Sequence, residues 1–280
     1  MGERCSVADN QGVALRDTKV LREQIVSWLR GHVEEAGMKG VIFGLSGGID
    51  SAVVCGLAAE ALGAGRCMGI IMPIESAAED AKLAQDVADR FGVRAIVAEL
   101  KDPFQLLLRT LADQRERVMR TGLEGGDPHR VTAPIVSDSI DALARANLKP
   151  RLRMITLYYY ANLLGYMVIG TGNRDEFAVG YFTKHGDGGA DLFPLGMVVK
   201  GEVRALAADL GVPQEIIDRP PSAGLWSGQT DEDELGFTYE QLDRYLLQGS
   251  SGDTIVDAKI RERERLSQHK IKPAPIAQLG

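Results

Sequence analysis

Apolar residues recur at helical spacing early in the chain: Leu21, Ile25, Trp28, Leu29 and Val33 share one face and predict an amphipathic helix ending near Gly37 and Gly40. The period then changes. VIFGL (41–45) is a continuous apolar run, followed by a helical pattern from about Asp50 to Leu62; CMGIIMP (67–73), a helical pattern from Ala77 to Phe91 and VRAIVAEL (93–100) repeat the alternation. Near-continuous apolar strands separated by helices predict an α/β fold, a Rossmann-like open parallel sheet with helices on both faces. Helical patterns follow over Pro103–Met119 and Ser137–Ala146, separated by RTGLEGGDPHR (120–130), a predicted surface loop. NLKPRLRMITLYYYANLLG puts Leu152, Ile155, Tyr159 and Leu163 on one helical face, and YMVIGTGN (166–173) predicts a fourth parallel strand.

Beyond that strand the chain turns polar. KHGDGGAD (184–191) reads as a mobile loop, VKGEVRALAADLG (199–211) as a helix with a glycine stop, and RPPSAGLWSGQTDEDELG (219–236) as a long connection before a helix starting near Tyr239. The closing HKIKPAPIAQLG reads as loose. One domain over residues 1–280 is expected, with 1–14 and 273–280 loose around it.

Composition mainly excludes. With 45% hydrophobic and 25% charged residues the chain has the balance of a soluble globular protein, and a formal charge of −7 opposes a general nucleic-acid footprint, which needs a basic face. No stretch approaches the roughly 18 uninterrupted apolar residues of a membrane span. MGERCSVADNQG lacks the apolar core of a secretion signal. Of the three cysteines, Cys55 and Cys67 sit in apolar surroundings as buried thiols, which fits a reducing compartment and a cytoplasmic protein.

The candidate chemistry starts where the first strand stops, at Ser46-Gly47-Gly48-Ile49-Asp50-Ser51. A glycine-rich turn entering a helix is an anion site, because unpaired backbone N–H groups and the positive helix end meet there. Asp50 is poorly suited to touch a phosphate unless a cation intervenes, which points to Mg²⁺. Neither G-x-x-x-x-G-K-[ST] nor G-x-G-x-x-G is present, so γ-phosphate transfer and a dinucleotide fold do not follow from this loop.

The S-G-G-x-D-S order resembles the pyrophosphate loop of the N-type ATP pyrophosphatases, which have the adenine nucleotide alpha hydrolase-like fold. NLKPRLR (147–153), GTGNRDE (170–176), GYFTKHGDGGAD (180–191) and HK (269–270) stand in the order seen in ammonia-dependent NAD synthetase, and the resemblance runs from about residue 20 to 272. It implies amidation of deamido-NAD with ammonia to NAD, through an adenylate, releasing pyrophosphate and AMP. ATP is the co-substrate, Mg²⁺ the cofactor and a homodimer the assembly, with the subunit contact around helices 137–165. By the same resemblance Gly44, Leu45, Ser46, Gly47, Gly48, Ile49, Asp50, Ser51, Thr171, Lys200 and Ser222 bind ATP, and Asp50 with Glu176 holds the metal. Asn147, Arg151, Tyr158, Tyr181, Lys184, Asp187, Asp191, His269 and Lys270 bind deamido-NAD, with Tyr181 a candidate to stack on the pyridine ring. Asp50, Lys184 and Lys200 are the implied catalytic residues.

Several of these residues have plainer readings on their own. Glu176 suits a helix first turn, Lys200 a solvated helix start, Tyr158 core packing, and His269-Lys270 a solvated tail. The chain also departs from the family pattern: Pro150 replaces a common alanine, Leu143 a frequent aromatic, Ser222 a threonine, and GTGNRDE the GTDHxxE of many bacterial members. A glutaminase domain, which glutamine-using members carry, is not expected here. The alternative within the superfamily is another adenylating amidotransferase, GMP synthetase-like or tRNA-modifying.

Overall fold

The computed structural model describes residues 13–121, 138–221 and 231–277, and for 113–121, 138 and 139 it describes the backbone only. α1 (Thr18–Glu35) leads into β1 (Gly40–Leu45), α2 (Ile49–Leu62), β2 (Cys67–Ile71), α3 (Ala78–Phe91) and β3 (Arg94–Val97). α4 (Lys101–Thr121), α5 (Asp138–Ala146) and α6 (Leu148–Leu164) precede β4 (Tyr166–Ile169). From there the described chain is helical: α7 (Arg174–Val179), α8 (Lys200–Leu210), α9 (Gln214–Ile217), α10 (Asp231–Leu235), α11 (Tyr239–Gln248) and α12 (Thr254–Ile271).

The sheet has four parallel strands in the order β3-β2-β1-β4. Because side chains alternate across a strand, the continuous apolar run of β1 feeds two cores. Val41, Phe43 and Leu45 pack with residues of α1, α2, α3 and α8; Ile42 joins Ile70, Val168 and α6 on the opposite face. A smaller cluster of Val179, Leu235, Phe237, Leu242, Val256 and Ile260 binds α7, α10, α11 and α12 together.

The strand order fixes where a ligand can sit. From β1 the chain runs outward to β2 and β3, then returns to place β4 on the other side of β1, with Phe43 paired to Ile169. Ligands of open parallel sheets bind beyond the strands' carboxyl ends at such a reversal. Here the two loops that meet at it are SGGIDS and GTGN.

The strands are shorter than their apolar runs: β2 stops at Ile71, β3 at Val97 and β4 at Ile169 rather than near 73, 100 and 173. Past β2 and β3, Met72, Ala98 and Leu100 still pack against the core on the α6 face, while residues 170–173 link β4 to α7. The expected connection over 219–236 contains α10, and the supposedly loose HKIKPAPIAQLG is helical through Ile271. Residues 184–191, read as mobile from their glycines, are tied turns: Gly186 N–H donates to Thr183 O, Asp191 N–H to Val168 O, and Leu192 bridges to Ile169. The Leu152 face of α6 also differs from expectation, since Ile155, Tyr159 and Leu163 are 59%, 64% and 70% exposed while Ala161 on the other side is buried. Of the loop predicted over 120–130, Arg120 and Thr121 belong to α4, and the rest, like Ser222, lies outside the described residues.

Candidate active site

The SGGIDS loop is built to approach a ligand closely. Gly47 has φ +79°, a conformation that favours glycine, and a Cβ there would meet the Asp80 carbonyl oxygen at 2.6 Å. Ser51 is buried, and its hydroxyl donates to Gly48 O at 2.9 Å and meets Ser46 Oγ at 3.1 Å. Ser51 therefore braces the loop, whereas Ser46 is exposed. Leu45 and Ile49 send their side chains into the core, leaving only their main chain, like that of half-buried Gly44, toward the crevice. The N-cap of α2 is Gly48 and no side chain caps it, so its first-turn N–H groups remain available to an anion.

The N-terminus of α8 is the reverse case. Lys200 N–H donates to Asp175 Oδ2 (2.9 Å) and Asp243 Oδ1 (3.1 Å), Gly201 N–H to Asp243 Oδ2 (2.8 Å), and Val199 N–H to Glu202 Oε2 (3.2 Å). All three acids are buried. Burial and the neighbouring Asp243 push the Asp175 carboxyl well above its usual range, and its Oδ1 is buried without a hydrogen-bond partner. With its main chain held this way, the Lys200 side chain, 2% exposed, reaches back to Asp50 Oδ2 at 2.6 Å. Its ammonium also lies over the Tyr239 ring, whose hydroxyl donates to Asp231. Burial opposes the charge on Lys200, but Asp50, Glu176 and Asp231 outweigh it and hold the ammonium above its ordinary pKa.

Asp50 and Glu176 come together through one amide. Asn173 Nδ2 donates to Asp50 Oδ1 at 2.9 Å, while Asn173 and Glu176 close a reciprocal cap on α7. Burial, and next the charge of Asp50, raise the Glu176 carboxyl well above its usual value. These are two hard oxygen donors sharing one spot. Among the described residues no group of three or more His, Cys, Asp or Glu side chains gathers as a metal cage.

Glu176 lines a cavity of about 70 Å³ with Thr171, Gly172, Phe177, Phe182, Asp187 and Gly188. This cavity joins the loop after β4 to the 180–191 segment, around which the remaining candidates gather. Thr183 Oγ1 donates to Asn147 Oδ1 (2.7 Å), the Arg151 guanidinium to Lys184 O (3.3 Å), and Lys184 Nζ to His269 O (2.6 Å). Lys270 Nζ donates to Gly180 O and Phe182 O, and Asp187 accepts from Thr183 N–H. Tyr158 donates to Asp191, whose second oxygen receives Val168 N–H. Tyr181 stands apart: it packs on the α7–α12 cluster and its hydroxyl donates to Glu234.

Sequence reasoning passed over Asn173, Asp175, Asp231, Tyr239 and Asp243. All are buried; Asn173 meets Asp50 across 123 residues, Asp175, Asp243 and Tyr239 meet Lys200 from other elements, and Asp231 accepts from Tyr239. The Asn-x-x-Glu cap was the one local signal available.

The chain is similar to known proteins over most of its length. The family model NAD synthase matches residues 21–274. The chain is 46% identical over 248 residues to the NH(3)-dependent NAD(+) synthetase of Carboxydothermus hydrogenoformans, covering 89% of this chain and 93% of that relative. Among solved structures, NMN synthetase from Francisella tularensis superposes with TM-score 0.81 at 31% identity, over 95% of this chain and all (100%) of that one. NAD+ synthetase from Burkholderia pseudomallei gives 0.68 at 28% identity, over 91% of this chain and 90% of that one. With the family model matching residues 21–274 and relatives of this similarity, the chain belongs to the NAD synthase family.

Proposed function

We propose that the protein amidates the nicotinate carboxylate of deamido-NAD with ammonia, using ATP and giving NAD, AMP and pyrophosphate. The observation that carries this reading is the meeting of SGGIDS and GTGNRDE beyond β1 and β4, where Asp50, Glu176 and Lys200 converge beside an uncapped helix N-terminus. A carboxylate is a poor acyl donor. Its oxygen attacks the α-phosphorus, the α–β bridging bond breaks and pyrophosphate leaves. Ammonia nitrogen then attacks the carbonyl carbon, AMP leaves, and the nitrogen gives up a proton.

The free N–H groups at the start of α2 and the main chain of Gly47 and Gly48 grip the departing pyrophosphate, with Lys200 as a fixed positive charge. Asp50 and Glu176 suit Mg²⁺, which takes one or two carboxylates and completes its shell with water and substrate phosphate oxygens. Their mutual repulsion is also what a cation relieves. When bound, Mg²⁺ supplies charge neutralisation on the phosphates. Thr171 and Ser222 are assigned to ATP. Arg151, Lys184, Asp187 and Lys270 are assigned with their neighbours on 180–191 to deamido-NAD, and the small cavity next to Glu176 and Asp187 suits ammonia.

Two further readings rest on the same chain. Ile140, Leu143, Ile155, Tyr159 and Leu163 expose a wide apolar face on α5 and α6, which supports a homodimer joined there. No helix among the described residues is long and apolar enough to cross a membrane, in keeping with a cytoplasmic enzyme. The likeness to an NMN synthetase favours one second reading of the acceptor, the deamido mononucleotide in place of deamido-NAD.

Deamido-NAD carrying ¹⁸O in its carboxylate tests the chemistry: one labelled oxygen is expected in the released AMP. Label found only in water or phosphate contradicts adenylation. Running both acceptors in competition decides between the two, with kcat/KM higher for deamido-NAD as the expected result.

A further inference from the structure

Asn173 is 0% exposed and all of its hydrogen-bonding atoms near the site are engaged. Its Oδ1 accepts from Glu176 N–H at 3.1 Å, its own N–H donates to Glu176 Oε2 at 3.1 Å, and its Nδ2 donates to Asp50 Oδ1 at 2.9 Å. The first two contacts form the cap of α7, which serine or aspartate would supply equally well. The third is different in kind. It crosses from the turn after β4 to the start of α2, and it requires a donor that a capping carboxylate lacks.

We infer that Asn173 is a positioning residue that sets the separation and aim of the Asp50 and Glu176 carboxylates. The side-chain amide holds Asp50 by Oδ1 and the backbone N–H of Glu176, while the Asn173 backbone N–H holds the Glu176 carboxylate, leaving Asp50 Oδ2 turned to Lys200 Nζ at 2.6 Å. Asn173 is uncharged, so it fixes this geometry without spending any of the negative charge that a cation would meet. The inference rests on the reading of Asp50 and Glu176 as the acids that hold a divalent cation with the nucleotide.

The test follows Mn²⁺ binding by electron paramagnetic resonance in the presence of α,β-methylene-ATP, alongside thermal stability in EDTA. Asn173→Ser keeps a capping oxygen and loses the reach to Asp50. Its Mn²⁺ affinity is expected to fall at least about tenfold, the usual scale for losing a partner that orients a metal ligand. Asn173→His, whose ring offers one donor and one acceptor, is expected to recover most of that loss. If serine unfolds the protein, Asn173→Asp takes its place, since it caps as well and cannot donate; the same loss is expected. Unchanged Mn²⁺ affinity in a variant with lowered thermal stability makes Asn173 a cap alone and overturns the inference. Absence of Mn²⁺ binding by the parent overturns the metal reading itself and the inference with it.

Discussion

At the scale of single residues, the site holds more negative charge than its one lysine balances, and this has a measurable cost. Glu176 is pressed upward in pKa first by burial and then by Asp50, with Lys200 only partly offsetting them. A glutamine keeps the acceptor that Asn173 N–H uses and removes the repulsion. Glu176→Gln is therefore expected to melt a few degrees higher than the parent without Mg²⁺ and ATP, given that ~1 kcal/mol is worth roughly 2–4 °C in a domain of comparable size. It should at the same time lose about 100-fold or more in kcat, the scale of losing one group that stabilises developing charge. Calorimetry and steady-state rates check both; a lower melting temperature would contradict the charge argument. The cysteines behave in the opposite sense to a reactive pair. Burial pushes Cys55 and Cys67 up to about 12. Because the raised thiols favour the folded state only while protonated, their share of stability is present below the ordinary thiol pKa and is lost as pH rises from about 9 to about 12. Neither should react with iodoacetamide at pH 8 until the protein is unfolded, as mass spectrometry of the digested protein will show.

At the scale of elements, two helix starts face the crevice and are used in contrary ways. α2 keeps its N–H groups for a ligand, while α8 gives its own to Asp175, Asp243 and Glu202 so that its first residue, Lys200, is held in place. Asp243→Ala takes away the partner of Gly201 N–H. Leaving a fully buried donor unmet costs about 1–3 kcal/mol, and the half-buried Gly201 N–H sits at the lower end of that range. The expected result is a lower melting temperature together with a raised KM for ATP, and an unchanged KM would show that Asp243 serves the packing of α11 on α8 and nothing more. The helices and strands themselves were largely legible: the apolar runs and 3.6-residue patterns located the four strands and most helices through α8 to within a few residues. Strand ends were not, because apolar residues past Ile71 and Val97, such as Met72, Ala98 and Leu100, pack in the core without continuing the strands. Six-residue α7 is hidden in a polar stretch, and α12 shows only Val256 and Ile260 among many charges as its buried apolar face. The SGGIDS and GTGNRDE stretches stand out in the sequence, whereas the contacts that Asn173 makes with Asp50, and Asp175 and Asp243 with Lys200, do not. Their roles consist of contacts between distant elements, and no local spacing records these.

At the scale of the whole molecule, the sheet order places one crevice between β1 and β4, and the apolar face of α5 and α6 lies open on the surface. If that face joins two copies, Tyr159→Asp with Leu163→Asp should convert a two-chain mass in light scattering to that of one chain. A parent that is already single-chained at all concentrations would contradict the homodimer. By the proposed function, the crevice splits ATP between its α and β phosphates to amidate a nicotinate carboxylate. The most direct measurement mixes purified protein with Mg²⁺-ATP, deamido-NAD and ammonium, and quantifies the nucleotides formed. NAD and AMP appearing in equal amounts, both lost in Asp50→Ala, is the predicted result; release of ADP, or AMP without NAD, would contradict it.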